Sequence, residues 1–143
     1  MYDITMMSDT RLLATVNTAK NVVLVDSQAG RTVDQISLKN YPRGVCIWDN
    51  NTAAVTLMKN KVQLININDN SLTLGNFLNA NGDVWGIARS NDRLVVSYSS
   101  PPWLKTLSIE GRVMNRYDYK NLEEMCLKNP TSLPQIQTAW SFL

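Results

Sequence analysis

Two groups of side chains in this sequence could do chemistry: basic residues interleaved with aromatics, and aspartates scattered along the chain. Basic side chains can contact phosphates and exposed aromatic rings can stack on bases, so the first group suits a nucleic-acid-binding surface. Its members are Lys20, Tyr41, Arg43, Lys59, Lys61, Trp85 and Trp103. The alternative is structural: Lys59 and Lys61 solvate a loop, and Trp85 fills space between packed elements.

The aspartates could hold a metal ion, which would allow catalysis. They are Asp3, Asp9, Asp26, Asp49, Asp69, Asp83 and Asp92. Most stand in clusters with Asn, Ser or Gly, where an aspartate side chain usually caps backbone groups of a turn. The chain also lacks histidine, the commonest metal ligand and general base. We therefore predict a non-enzymatic protein without metal or cofactor.

The amino-acid composition argues against DNA and a membrane as partners. Fourteen basic residues against twelve acidic ones leave a net charge of only +2, without a sustained block of either sign. The longest purely aliphatic run, residues 22–25, is far too short to span a membrane. The two cysteines, Cys46 and Cys126, match no metal-ligand spacing and no disulfide framework, which favours a reducing compartment. We expect a cytoplasmic protein with neither DNA nor a membrane as its partner.

A repeat with a step of 41 residues organises the chain. Residues 9–16 align with residues 50–57 and with residues 91–98, and each copy joins Asn or Asp to an apolar run. Every unit contains four short runs rich in Val, Ile, Leu, Thr and Tyr, separated by turn residues. Four strands in a unit of this length are typical of a β-propeller blade. The second strands are predicted to begin at Arg11, Thr52 and Arg93.

The predicted fold is all-β: a β-propeller fragment of about three four-stranded antiparallel blades. The blades cover about residues 1–40, 41–82 and 83–119, and residues 120–143 form a tail with an aborted start of a fourth blade. A β-sandwich would also contain short strands, but it gives no reason for a fixed interval. Propellers use about four to eight blades to close a ring, so we expect either a fragment of a larger propeller or self-association that completes it.

Three segments resemble blades of NHL-type propellers: Gly-Val-Cys-Ile at residues 44–47, Gly-Ile-Ala-Arg at residues 86–89 and Asn-Asp-Arg-Leu-Val-Val-Ser-Tyr at residues 91–98. The likeness is strongest to the C-terminal propeller of animal, mainly invertebrate, tripartite-motif proteins, and it covers about residues 2–119. This resemblance implies a partner-recruiting module, which in the family binds proteins or, in some members, RNA. In a ubiquitin ligase of this kind the propeller would recruit the substrate, because two cysteines cannot build a RING or B-box domain here.

The resemblance also implies which residues share a surface. In such propellers, the loops between second and third strands open on the same face as the connections between blades. That face would carry the predicted binding residues Tyr41, Arg43, Lys59, Lys61, Trp85 and Trp103, together with Lys20. The proline-containing loop at residues 99–103 is the predicted contact site, and packing of Trp103 on the third strand is the alternative. We predict a protein-interaction scaffold, with RNA binding as the alternative function.

Overall fold

The computed structural model describes residues 2–8, 10–99 and 102–117. These residues form twelve β-strands in three four-stranded antiparallel sheets, one for each unit of the repeat. The prediction of an all-β chain with about three four-stranded blades is confirmed, and we call the sheets blades A, B and C in chain order. Asp9, part of the loop at residues 99–103, Cys126 and the predicted tail with its aborted fourth blade lie outside the described residues.

The strands neighbour one another in space in the order in which they occur along the chain, so each blade is an up-and-down sheet. Blade A contains β1 (Tyr2–Met6), β2 (Arg11–Val16), β3 (Asn21–Asp26) and β4 (Arg31–Ser37). Blade B contains β5 (Pro42–Asp49), β6 (Thr52–Leu57), β7 (Lys61–Asn68) and β8 (Ser71–Asn79). Blade C contains β9 (Val84–Ser90), β10 (Arg93–Tyr98), β11 (Leu104–Leu107) and β12 (Val113–Tyr117).

The second strands of the three blades keep the 41-residue step. They begin at Arg11, Thr52 and Arg93, which confirms the predicted starts. Their side chains alternate between the two faces of each sheet, as strand geometry requires. In β6, for example, Ala53 contributes to the layer shared with blade A, whereas Ala54 contributes to the layer shared with blade C.

Turn aspartates cap backbone groups as their sequence setting predicts. Asp26 Oδ1 accepts hydrogen bonds from the backbone N–H groups of Gln28 and Ala29, each at 3.0 Å. Asp49 Oδ1 accepts one from the N–H group of Asn51 at 2.8 Å. These carboxylates hold the tight turns that let an apolar strand reverse direction within two to four residues.

Apolar side chains form two packed layers, one at each junction between blades. The A–B junction is aliphatic, and Leu24, Val55 and Ile65 are fully buried in it. The B–C junction adds aromatic rings to its aliphatic residues, among them Tyr98, which is only 2% exposed. Burial of one such side chain contributes about 1.5–3 kcal/mol, so these two layers are the main source of cohesion between blades.

Each blade has a hydroxyl clasp between its first and second strands. The hydroxyl-bearing residues are Thr15, Thr56 and Ser97, again 41 residues apart. Their side-chain oxygens accept hydrogen bonds from the backbone N–H groups of Asp3, Gly44 and Gly86, at 3.0, 2.8 and 2.8 Å respectively. Thr56 also donates to the carbonyl of Trp85 in blade C, so its clasp extends across the B–C junction.

Two carboxylates of blade A bind backbone groups of blade B. Asp3 Oδ2 accepts a hydrogen bond from the N–H group of Val45 at 2.9 Å, and Asp34 Oδ2 accepts one from Leu72 at 2.7 Å. Asp3 therefore joins two blades and does not cap a turn. Burial raises the pKa of Asp3 above its ordinary value, although the hydrogen bond from Val45 acts in the opposite direction.

Antiparallel topology divides the loops between two ends of the blades. The loops that join second to third strands and the connections between blades lie at one end, which we call the top end. The hairpin turns that join first to second and third to fourth strands lie at the bottom end. No helix in the described part of the chain is long and apolar enough to cross a membrane.

Candidate interaction surface

The six predicted binding residues all lie in loops or strand ends at the top end. They do not form one continuous patch of basic and aromatic side chains. Lys59 and Lys61 line a cleft between blades A and B, and Arg43 and Trp85 contact each other at the B–C junction. Trp103 packs on blade C, and Tyr41 stands beside Lys20.

The cleft between blades A and B, which we call the lysine cleft, has a volume of about 240 Å³. Its lining residues are Lys39, Asn40, Leu57, Met58, Lys59, Asn60, Lys61 and Phe77. The Phe77 ring is 40% exposed, and the ammonium groups of Lys39 and Lys61 lie 5.9 and 4.8 Å from its centroid. The cleft thus presents an open aromatic ring between positive charges, an arrangement that suits an anionic ligand with an apolar part.

Backbone hydrogen bonds fix the loop that carries Lys59. The carbonyls of Lys59 and Asn60 accept hydrogen bonds from the N–H groups of Val84 and Ala80, at 3.2 and 2.8 Å. The Met58 carbonyl accepts one from the side-chain amide of Asn40 at 3.2 Å. Lys59 itself has a φ of 77°, in the left-handed region that glycine favours. The loop is therefore held between the connections on both of its sides.

Arg43 forms a clamp between blades B and C. Its Nη1 atom lies 2.9 Å from Asp83 Oδ1 and donates to the Val84 carbonyl at 2.7 Å, while the guanidinium stacks 3.8 Å from the Trp85 ring centroid. The side chain is only 11% exposed. Arg43 is therefore committed to contacts within the chain, and its charge is balanced by Asp83.

Asp83 is stabilised as a carboxylate in this clamp. Ser99 Oγ donates a hydrogen bond to its second oxygen at 2.9 Å. Burial alone would raise the pKa of Asp83, but the hydrogen bonds from Ser99 and Arg43 and the charge of Arg43 hold it below its ordinary value. Asp83 is thus a structural partner of Arg43, a role that its turn-like sequence setting does not indicate.

Trp103 packs against the apolar layer of the B–C junction. The guanidinium of Arg116 lies 4.1 Å from its ring centroid, and Lys105 Nζ lies 5.6 Å from it. Lys105 is 8% exposed and donates to the Asn81 carbonyl at 3.5 Å. Burial, with the neighbouring charge of Arg116, lowers the pKa of Lys105. The ring of Trp103 is consequently covered by side chains of its own blade.

Tyr41 is 37% exposed, and Lys20 Nζ lies 4.6 Å from its ring centroid. Tyr41 directly follows Asn40, so it stands beside the lysine cleft. Of the predicted aromatic residues it is the most accessible, because Trp85 and Trp103 each have a guanidinium over the ring.

Of the residues that line the lysine cleft, only Lys59 and Lys61 were predicted as binding residues; Lys39 and Phe77 are among those that were missed. The signal for Phe77 lies in the hairpin of β7 and β8, where Lys61 pairs with Asn79 and Gln63 pairs with Phe77. Phe77 is therefore the diagonal neighbour of Lys61 on one face of the sheet. Nothing in the repeat marks Lys39, because its contact with the cleft depends on the connection between two blades.

A catalytic role would require a metal site or a reactive side chain among the described residues. That part of the chain contains no group of three or more His, Cys, Asp or Glu residues arranged to hold a metal ion. Cys46 is a free, buried cysteine, and burial raises the pKa of its thiol to about 12. Such a thiol stays protonated at neutral pH and is a packing residue of the B–C junction.

No protein-family model matches the chain, and no curated protein sequence matches it either. Its fold, however, matches solved structures. The β-propeller domain of Myceliophteria thermophila Cps50 (Swd1) aligns with 76% of the chain at 16% identity and a TM-score of 0.63. The WD40 β-propeller domain of Doa1 aligns with 81% at 13% identity and a TM-score of 0.68. The chain has a β-propeller fold.

Another match is hydrazine synthase of Kuenenia stuttgartiensis, which aligns with 82% of the chain at 14% identity and a TM-score of 0.71. The chain spans only 38%, 40% and 35% of the lengths of Cps50, Doa1 and hydrazine synthase. At these identities the similarity shows the fold but not the function, which must be argued from the surface of this chain. One of the three matched proteins is named as an enzyme and two are propeller domains, so the fold alone does not separate catalysis from binding.

Proposed function

We propose that this propeller is a non-enzymatic protein-interaction scaffold that binds its partner at the top end. The observation that supports the proposal most is the open lysine cleft, where exposed Phe77 and Met58 adjoin three lysines. Exposed aromatic and methionine side chains are enriched at the centres of protein interfaces. Propellers with WD40 repeats commonly bind proteins, so the fold supports the same proposal.

The resemblance of residues 44–47, 86–89 and 91–98 to tripartite-motif propellers supports a finer proposal. The chain would recruit a substrate protein to a ubiquitin ligase, as the corresponding propellers of that family do. A cytoplasmic location belongs to this proposal, and the free thiol of Cys46 is compatible with a reducing compartment.

Quantitative affinity capture from cells tests the scaffold function. The full chain, its Phe77→Ala variant and a Leu74→Ala control would be compared, because Phe77 and Leu74 are about equally exposed, at 40% and 41%, on the same strand. Proteins retained by the wild type and by Leu74→Ala should be lost from Phe77→Ala. Retention of the same proteins by all three would contradict binding at the top end.

RNA binding is the second candidate function, and the pairing of lysines with the open Phe77 ring favours it. If RNA binds there, affinity for a single-stranded oligonucleotide should fall steeply with salt. Replacing Lys59 and Lys61 with Ala should reduce the slope, whereas Arg43, which is balanced by Asp83, should contribute little. Fluorescence anisotropy at several salt concentrations measures both, and affinity independent of salt would exclude this candidate.

We also propose self-association through the outward face of blade A. Ile4 and Met6 on this face are 60% and 54% exposed, although the faces of a sheet inside a propeller are normally covered. The wild type should therefore show concentration-dependent growth in mass by light scattering, and replacing Ile4 and Met6 with Ser should suppress it. A wild-type monomer at high concentration would refute the proposal.

A further inference from the structure

The lysine cleft has a ligand preference that its charges and its apolar surface define together. We propose that it binds an acidic peptide segment of the partner protein, with an apolar residue among its carboxylates. This inference rests on the proposed scaffold function and names the chemistry of the segment that the top end recognises.

The charge of the cleft is uncompensated by its own lining. Three of its lining residues are lysines, Lys39, Lys59 and Lys61, and none is acidic. Within the described residues, the two ion pairs of the protein join Arg43 to Asp83 and Arg93 to Asp92, so neither uses a lysine of the cleft. Carboxylates of a ligand would thus gain three ammonium partners without displacing an internal one.

The cleft also has an apolar part, which favours a ligand that carries an apolar group as well as negative charge. Phe77 and Met58 are 40% and 36% exposed, and buried Leu57 also lines the cleft. Covering these side chains removes apolar surface from water, which favours binding in proportion to the area covered. A purely anionic ligand would leave that gain unused, so the preferred segment places an apolar side chain on Phe77.

The backbone of Lys59 indicates that the cleft is ordered before a ligand arrives. Its φ of 77° is unfavourable for a residue with a side chain, and glycine would adopt it without strain. The loop is nonetheless fixed by hydrogen bonds to Ala80, Val84 and Asn40. A loop backbone held in this way loses little conformational freedom on binding, which favours affinity for a short segment.

The other top-end aromatics favour a peptide over RNA. A single strand of RNA needs several ring faces for its bases and a continuous path of cations for its phosphates. Trp85 and Trp103 already have Arg43 and Arg116 over their rings, at 3.8 and 4.1 Å. Three exposed lysines, Lys39, Lys59 and Lys61, lie together in one cleft, which matches a short acidic segment better than a long polyanion.

Fluorescence anisotropy on the full chain tests the inference. The probe is a labelled synthetic peptide in which Glu and Leu alternate, and the control peptide has Gln in place of Glu. The Glu peptide should bind more tightly by a factor on the order of ten, because several partly exposed ion pairs each strengthen binding a few-fold. Equal binding of the two peptides would overturn the proposal.

Substitutions locate the binding. Lys59→Gly and Lys61→Ala should each weaken the Glu peptide roughly threefold, whereas Arg31→Ala, which removes an exposed charge at the bottom end, should not. Lys59→Gly also relieves the backbone, so its melting temperature should equal or exceed that of the wild type, and lost binding cannot reflect misfolding. Unchanged affinity in both lysine variants would refute the cleft as the site.

Competition with oligouridylate separates the two classes of ligand. The Glu peptide should remain bound at oligouridylate concentrations equal to its own, and displacement at those concentrations would assign the cleft to RNA instead. If affinity capture still depends on Phe77 while the Glu peptide fails to bind, the scaffold function stands and the acidic specificity is refuted. If capture does not depend on Phe77, the scaffold function at this end is itself refuted.

Discussion

At both junctions between blades, a cation lies beside an aromatic ring at equivalent positions of the repeat. The position that holds the cation at one junction holds the ring at the other. At the A–B junction Lys61 lies beside Phe77, its diagonal neighbour across β7 and β8. In blade C the equivalent positions hold Trp103 and Arg116, because Leu104 corresponds to Val62 and Lys105 to Gln63. In blade B the start of the third strand carries the cation, Lys61, and the fourth strand carries the aromatic ring, Phe77. In blade C the ring, Trp103, directly precedes the third strand, and the fourth strand carries the cation, Arg116.

The exchange changes what each junction can do. Around Trp103 the top end is filled: the Tyr98 hydroxyl donates to the Ala80 carbonyl at 2.5 Å, and Lys105 reaches the carbonyl of Asn81. Around Phe77 it stays open as the lysine cleft. One junction thus uses its aromatic residues for cohesion, whereas the other leaves them available for recognition.

The largest test of this contrast removes one ring from each junction. Tyr98→Ala should lower the free energy of unfolding by about 3–5 kcal/mol, because the ring is buried and bonded. Phe77→Ala should cost about 1 kcal/mol or less, because its ring is partly exposed. Urea unfolding measures both. Equal losses would mean that Phe77 is a cohesive residue and that the contrast is wrong.

A glycine substitution tests how tightly the B–C junction is filled. A Cβ atom at Gly82 would lie 2.7 Å from Cδ1 of Tyr98, a distance that real contacts do not allow, so Gly82→Ala should cost about 1–3 kcal/mol. Gly30→Ala is the control for backbone strain, since its Cβ would meet nothing within 4 Å at a φ of 67°. A chemical denaturation midpoint for Gly82→Ala no lower than that for Gly30→Ala would show spare room beside Tyr98.

Two of the inter-blade aspartates, Asp83 and Asp3, should respond to pH in opposite directions, which tests the comparison with a smaller expected effect. The pKa of Asp83 is lowered in the fold, so its stabilising contribution is present at neutral pH and is lost as the pH falls through that value. The pKa of Asp3 is raised, so its protonation stabilises the fold as the pH falls through that higher value.

Asparagine variants separate these contributions. Asp83→Asn should be less stable than the wild type at pH 7 and should lose less stability on acidification. Asp3→Asn should instead reduce the gain that the wild type shows on mild acidification. Unfolding midpoints measured across the acid range, with Asp49→Asn as a turn-capping control, would reveal the signs. Identical pH profiles for Asp3→Asn and Asp83→Asn would contradict the opposite pKa shifts.

Local sequence signals predicted most of the fold, because strand and turn formation depend on neighbouring residues. The 41-residue step located β2, β6 and β10, and the Asx-rich turns located caps such as Asp26. Contacts between blades could not be predicted from these local signals. Asp83 has the sequence setting of a turn aspartate, yet its partner Arg43 is 40 residues away, and only the packing of blade C against blade B brings them together.

The candidate site was predicted in part for the same reason. Lys59 and Lys61 belong to one loop, so their shared location follows from the hairpin of β6 and β7. Lys39 approaches them only because the connection from blade A crosses the top of blade B. The sequence did not show that the charge of Arg43 is neutralised, because the carboxylate that pairs with it belongs to the next blade.

The hydroxyl clasp predicts that the chain tolerates change in whole units better than change by single residues. Thr15, Thr56 and Ser97 each join the first two strands of their own blade, so duplicating or deleting 41 residues would keep these bonds in every remaining blade. The additional bond from Thr56 to the Trp85 carbonyl would need a blade beside it. An insertion of one residue within β6 would instead turn the hydroxyl to the opposite face, away from the Gly44 N–H group. Insertion of a whole 41-residue unit should therefore disturb the clasps less than insertion of a single residue inside a strand.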